Sequence, residues 1–337
     1  MNNQHKDKGL PALELLRIMA LAREGDRREG ILIRQGKGWF GVASTGHEAV
    51  AALMYCLEPK DYLHLYYRDR ALALVRGVTN YELALAYLGK NDSSSIGRQM
   101  PSFFSAPNLN IFSNAPPTGL QFLPAAGTAW ANKLDGNGAI TICCTGDATT
   151  RQGEFYESLC FALEKDLPLL FVVEDNGYGI STPTSKMTPW NIGALSKDCM
   201  VKVNGRDAFE VYNEGRRVVE KIRSGQGPMV LWLELDRLTS HTSSDDHRVY
   251  RSTDEIEEML GRDPINLLRD ELIKRGELTM EGWQEETQAI ARQVDDDYLR
   301  AEQSANPNPS RTMEQTLARP PPPQTSNLPP QETWMMV

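Results

Sequence analysis

This sequence predicts an α/β fold: a parallel sheet covered by helices on both faces, with N- and C-terminal helical additions. Three stretches carry the prediction. Residues 139–145 form a continuous apolar and β-branched run that stops at Gly146-Asp147, and residues 168–174 repeat the pattern and stop at Asp175-Asn176-Gly177. Unbroken runs of this kind fit strands buried on both faces. Between them Phe155, Leu159 and Leu163 recur at i, i+4 and i+8, one apolar stripe of a helix able to cover the sheet as a crossover. Both polar ends then leave the same sheet edge, beyond the carboxyl ends of the strands, where open α/β sheets bind ligands.

The remaining elements follow in order. Residues 11–24 place Leu15, Leu16, Met19 and Ala20 at helical spacing, a packing face. Gly46-His47-Glu48 starts another helix that runs to Leu57 and that Pro59 prevents from continuing. Glu48 reads as an acid at a helix N-terminus, where the macrodipole favours it. Residues 229–235 are a further strand, and 254–260, 264–274 and 280–302 are C-terminal helices. From Asn306 onward Pro, Ser, Thr and Gln dominate, with four consecutive prolines at 320–323, too little apolar surface to order alone. The expected organisation is a helical region (1–60), an α/β domain (61–250), C-terminal helices (251–305) and a Pro-rich flexible tail (306–337).

Composition narrows the function. At 337 residues and 40% hydrophobic content the chain can bury one large α/β core. No apolar run approaches the roughly 20 residues that span a bilayer. Residues 1–9 are polar and read neither as a secretion signal nor as a transit peptide. A net charge of −9 argues against nucleic acid as the main partner. Five cysteines, an odd number with Cys143 and Cys144 adjacent inside a strand, fit a reducing cytoplasm, and the adjacent pair reads as packing residues.

The two strand ends have the donors for a divalent metal and a diphosphate. Mg²⁺ takes about six oxygen ligands, usually one or two from carboxylates and others from phosphate and water. Asp147 offers charge, Asn176 a neutral amide oxygen, and the backbone near Tyr178 a carbonyl. Gly146, Ala148, Gly177 and Gly179 are small enough to let a phosphate approach the main chain. Gly-Asp or Asn-Gly alone is ordinary turn punctuation. The pair, each after a strand and with a helix between, is not.

With Asp147 and Asn176 29 positions apart, these residues resemble the thiamine-diphosphate signature of the alpha subunits of 2-oxo acid dehydrogenase complexes. Tyr67-Arg68-Asp69, Gly97-Arg98-Gln99-Met100-Pro101, and His241 to Asp246 followed by Tyr250-Arg251-Ser252 are similar to further family segments, so the resemblance runs from about Leu13 to about Pro309. Residues 180–184 and 244–246 resemble the branched-chain (2-oxoisovalerate) type more than the pyruvate type. The resemblance implies the diphosphate-type domain of the thiamine-diphosphate-binding fold, and oxidative decarboxylation of a 2-oxo acid with acyl transfer to a lipoyl domain. It further implies that Asp147, Asn176 and the Tyr178 carbonyl hold Mg²⁺. Tyr67, Arg68, Pro116, Ala148, Thr149 and His241 would contact the cofactor or its surroundings. His241 is the expected catalytic residue, since an ordinary imidazole donates and accepts protons near neutrality.

Several positions depart from the family pattern. Ala148 replaces a glycine, and Glu174 stands where some relatives place an arginine toward the diphosphate. The loop Ala115 to Gln121 lacks the family's serines and threonine, so a potassium ion there, deprived of a hydroxyl at Leu120 but not of Gln121, stays open. Thr242 and Ser252 sit where animal enzymes are phosphorylated. Thiamine enzymes of this kind use a second, pyrimidine-binding sheet domain, and no stretch here remains for one, since it would need roughly 100–200 residues. A beta subunit is therefore expected to complete the site, including its activating glutamate, as a heterotetramer of two alpha and two beta chains. Pyruvate or acetoin dehydrogenase alpha subunits, and a non-catalytic assembly subunit of the same fold, are the alternatives.

Overall fold

The computed structural model describes residues 9–113, 116–189, 193 and 196–311. The described residues 9–306 belong to one compact unit. Most of the predicted tail, residues 312–337, lies outside the described residues.

The N-terminal helix α1 (Ala12–Arg34) extends well past the predicted stretch and buries Leu15, Leu16, Met19 and Ala20 as expected. The segment predicted as a helix from Gly46 is a 3-10 coil, Glu48–Cys56, whose Ala49 to Leu53 are fully buried. Glu48 does stand at its first position, but it is enclosed. It accepts from the Gly46 amide at 2.8 Å and pairs with Arg23 at 2.5 Å.

The sheet has five parallel strands: β1 (Tyr62–His64), β2 (Thr141–Gly146), β3 (Leu169–Asp175), β6 (Met200–Asn204) and β7 (Met229–Glu234), in the order β1-β2-β3-β7-β6. A two-stranded hairpin, β4 (Tyr178–Gly179) with β5 (Thr182–Pro183), follows β3. Alternate residues of the central strands serve two cores, as a period of two requires. Ile142, Cys144, Leu170, Val172, Leu231 and Leu233 face the larger core with α1, the 3-10 coil and α6 (Ala208–Arg223). Cys143, Leu169, Phe171, Val173 and Trp232 face the smaller one with α4 (Phe122–Asp135) and α5 (Gly153–Glu164). Both adjacent cysteines are thus packing residues, one per face.

Helix α5 is the expected crossover, but its stripe is not the one read from sequence. Phe155 and Leu159 are buried with Ser158 and Ala162, whereas Leu163 is 46% exposed. Eight residues carry a helix about 80° past two full turns, which rotates Leu163 off the face. Helices α2 (Arg70–Arg76) and α3 (Asn80–Tyr87) link β1 to the rest, α3 starting at a Thr79/Glu82 capping box. Three C-terminal helices follow, α7 (Thr253–Leu260), α8 (Pro264–Lys274) and α9 (Met280–Gln303), each capped by a hydroxyl or carboxylate, from Ser252, Asp263 and Thr279. No helix among the described residues is long and apolar enough to cross a membrane.

Candidate active site

Register sets the site. Thr141 pairs with Leu169 and the ladder runs to Gly146 with Glu174, so Asp147 and Asp175 leave the sheet side by side. Asp147 opens a 3-10 turn, Asp147–Arg151, and is 2% exposed. The Thr184 hydroxyl donates to it, and its carbonyl accepts from Thr150 Oγ1 at 2.6 Å. Burial first, and the neighbouring Asp175 charge second, push the Asp147 carboxyl up to about 7. Asp175 accepts from the Gly177 amide at 3.0 Å and from Trp232 Nε1 at 2.8 Å.

Asn176 turns its Oδ1 back onto the Tyr178 amide at 3.2 Å. The hairpin lies against the Asp147 turn, since a Cβ on Gly179 would stand 2.6 Å from the Ala148 Cβ. Glycine at 179 therefore accommodates alanine at 148, which answers how the chain tolerates that departure. Thr149 is buried and Pro116 exposed. Ala115 lies outside the described residues; Leu120 is 48% exposed, and Gln121 turns inward, its amide donating to the Cys144 carbonyl at 3.2 Å.

Beyond the carboxyl ends of β1 and β7 stands a cationic group. Arg68, 2% exposed, donates to the Ala43 carbonyl, to His241 Nδ1 at 3.0 Å and to the His241 carbonyl at 2.8 Å, while the Tyr67 ring lies 5.2 Å from its guanidinium. Arg237, fully buried, donates to His241 Nδ1 at 3.3 Å, to the Ile180 carbonyl at 2.9 Å and to the Tyr250 hydroxyl at 2.7 Å. Neither guanidinium has a carboxylate partner among the described residues. Tyr250 in turn donates to Asp245, which also accepts the His241 amide at 2.7 Å. The expectation that His241 titrates near neutrality is not met: burial, then the charges of Arg68 and Arg237, push its pKa down to about 4. His247 is half-buried with Nδ1 3.5 Å from Arg251. Ser252 spends its hydroxyl capping α7.

Arg237 and a buried group beneath the strand ends escaped the sequence reading. Glu174, fully buried, accepts from the Tyr66 hydroxyl at 3.1 Å and lies 2.6 Å from His47 Nδ1. It turns into the protein instead of toward the edge. Asp69, Cys144 and Glu174 bring one ligand atom each within 4.8 Å of one another, all enclosed. Burial holds the Glu174 carboxyl well above the usual range and the His47 ring well below its own. Arg237 stands four residues before His241, a proximity that could have flagged it. No sequence signal links His47 to Glu174, 127 positions apart.

An open parallel sheet with enclosed charged side chains gathered beyond the carboxyl ends of its strands places the chain among ligand-binding α/β proteins. Residues 16–310 match the dehydrogenase E1 component family, and the chain belongs to it. Over 316 residues it is 34% identical to the 2-oxoisovalerate dehydrogenase subunit alpha of Bacillus subtilis, covering 90% of this chain and 96% of that one. It is 32% identical to the mitochondrial 2-oxoisovalerate dehydrogenase subunit alpha 1 of Arabidopsis thaliana over 77% of this chain and 55% of the relative. With the pyruvate dehydrogenase E1 component subunit alpha of Staphylococcus aureus it shares 33% identity over 78% of this chain and 70% of the relative. The chain is thus a component of a 2-oxo acid dehydrogenase, an oxidoreductase of the thiamine-diphosphate-dependent class.

Proposed function

We propose that this chain is the alpha subunit of a branched-chain 2-oxo acid dehydrogenase, and that it supplies the metal ligands, the diphosphate contacts and one catalytic histidine. The observation that carries the proposal is the sorting of charge by sign at the sheet edge: Asp147 is enclosed beside a half-buried Asp175, and the enclosed Arg68 and Arg237 meet at one His241 nitrogen. Such an arrangement fits a divalent cation on the first side and an anionic phosphate on the second. Asp147, Asn176 and the Tyr178 carbonyl would hold Mg²⁺; Arg68, Tyr67, Ala148, Thr149, Pro116 and His241 would surround the diphosphate. No role is derived for a potassium ion.

Thiamine diphosphate, when bound, supplies the electron sink for decarboxylation. The chain's own groups place charge and exclude water. Arg68 keeps its fork in place through the Ala43 and His241 carbonyls, and Tyr67 covers its face. His241 presents its ring to the reaction space, held at the backbone by Asp245. The described residues contain one large sheet, which supports a beta subunit as the source of the pyrimidine side of the site, and a lipoyl domain as the acyl acceptor. The branched-chain preference draws on the 34% identity with a 2-oxoisovalerate dehydrogenase alpha subunit over 96% of its length.

Decarboxylation assays of the co-expressed alpha and beta chains across 2-oxoisovalerate, 2-oxobutyrate and pyruvate test the reading. A kcat/KM favouring 2-oxoisovalerate is expected; preference for pyruvate would move the chain to the pyruvate type. Turnover of none, with no saturable thiamine diphosphate binding, would make it an assembly subunit.

A further inference from the structure

Two guanidinium groups end on one imidazole nitrogen. Arg68 Nη2 lies 3.0 Å and Arg237 Nη1 3.3 Å from His241 Nδ1. A guanidinium has only N–H donors, so Nδ1 must offer its lone pair to both, and in the neutral ring the proton then sits on Nε2. Nε2 has no partner among the described residues and is not one of the enclosed polar atoms. It is the end of the ring left for chemistry.

We propose that Arg237 is a positioning residue which, with Arg68, locks His241 as a neutral imidazole carrying its proton on Nε2, so that His241 acts on the reaction as a hydrogen-bond donor to an oxygen and not as a general base. Removing a proton from substrate would require a free lone pair on Nε2, which this tautomer lacks. Accepting a second proton at Nδ1 would place an N–H against two guanidinium groups. What remains is donation from Nε2, which suits a carbonyl, carboxylate or phosphate oxygen of the ligand.

Arg237 is aimed by more than His241. Its other nitrogen donates to the Ile180 carbonyl at 2.9 Å, just past the β4 strand, and to the Tyr250 hydroxyl at 2.7 Å, whose proton goes to Asp245. Asp245 also accepts the His241 amide, so one carboxylate fixes both the backbone of His241 and, through Tyr250, the arginine that faces its ring. The titratable groups around the ring are Arg68 and Tyr67 from the turn between β1 and α2, and Arg237, Asp245 and Tyr250 from the segment after β7. Only Asp245 is anionic, and it is spent on the backbone amide and Tyr250. The charges of Arg68 and Arg237 act in the same direction as the geometry and lower the ring's proton affinity. Arg237 itself, pushed down to about 10, stays cationic at neutral pH.

The lock is a property of this chain; its use in catalysis rests on the function proposed above. The full chain, with histidine labelled by nitrogen-15 in the ring and the His241 signal assigned by its loss in His241→Gln, is read by long-range proton–nitrogen NMR from pH 8 to pH 5. The expected result is a neutral ring with Nε2 protonated throughout. An imidazolium or a proton on Nδ1 at pH 7 in the unmodified chain overturns the lock without recourse to any variant. In Arg237→Met the titration midpoint should rise by about one pH unit or more toward the ordinary value near 6.5, and Tyr250→Phe should give a smaller rise in the same direction. An unchanged midpoint in a folded Arg237→Met chain removes Arg237 from the role. In the reconstituted complex, an acidic limb near pH 6.5 that disappears with His241→Gln would overturn the donor assignment. A complex that decarboxylates no 2-oxo acid while the NMR shows the lock would strike down the functional reading and leave the lock standing.

Discussion

Two groups of buried charge in this molecule are built on opposite plans. Between α1, α2 and α9, Arg70 meets Glu29 at 2.7 Å, Asp26 at 3.6 Å and the Tyr298 hydroxyl at 2.7 Å, and Asp26 accepts in addition from Ser44 and Thr45. Gly25 makes room for it: a Cβ there would stand 2.3 Å from the guanidinium. At the sheet edge, charges are sorted by sign instead, Asp147 with Asp175 and Arg68 with Arg237. The first group closes on itself and holds helices together. The second leaves like charges side by side, which costs stability in the chain alone and which, under the proposed function, a cation and an anion from outside would relieve. Where the balance is internal a charge serves the fold; where it is missing, the proposed function assigns the charge to a ligand.

The largest effect should come from opening the closed group. Arg70→Met leaves Glu29 and Asp26 enclosed without their cation and should cost about 3–5 kcal/mol in urea denaturation; a loss under about 1 kcal/mol would erase the contrast. Next, Asp147→Asn should weaken thiamine diphosphate binding in the presence of Mg²⁺ by about 100-fold or more in calorimetry of the alpha–beta complex. The same change should leave the melting temperature of the metal-free chain no lower than before, because it removes one of two facing acids.

A subtler effect is pH dependence. His241 is held near 4 in the folded chain, below its ordinary value near 6.5, so the unfolded chain binds the extra proton first. The stability this represents is complete above about pH 6.5 and is lost as pH falls through about 4. Denaturation midpoints measured along that range should fall less steeply for Arg237→Met than for the unmodified chain; parallel slopes would uncouple the arginine from the ring. The smallest effect is expected from Glu174→Gln. Burial already favours the protonated form of Glu174, so a neutral carboxamide should cost about 1 kcal/mol or less, as read by urea denaturation. A loss of several kcal/mol would mean that its negative charge is needed.

Much of the architecture is legible because it depends on local repetition. The runs that become β2 and β3, the helix between them, and α8 and α9 stand nearly where periodicity puts them. β1 and β6 were missed, the first because three residues carry no period, the second because Met200–Asn204 interleaves polar residues on a sheet edge. Leu163 shows the limit of a stripe drawn at strict intervals of four, since the helix turns a little further than that spacing allows. At the site, Asp147, Asn176, Arg68 and His241 could be named from motifs. Arg237, His47 and the inward turn of Glu174 could not, because their meaning lies in partners far away along the chain.

The sequence by itself determined which residues carry charge, which segments alternate or repeat, and that two strand ends share one sheet edge, all consequences of composition and short-range geometry. Only the tertiary structure decided how those charges face one another. Whether an acid or an arginine is neutralised inside the chain or left for a ligand depends on atoms brought within a few ångströms from distant positions. The same contacts decide which nitrogen of His241 keeps its proton.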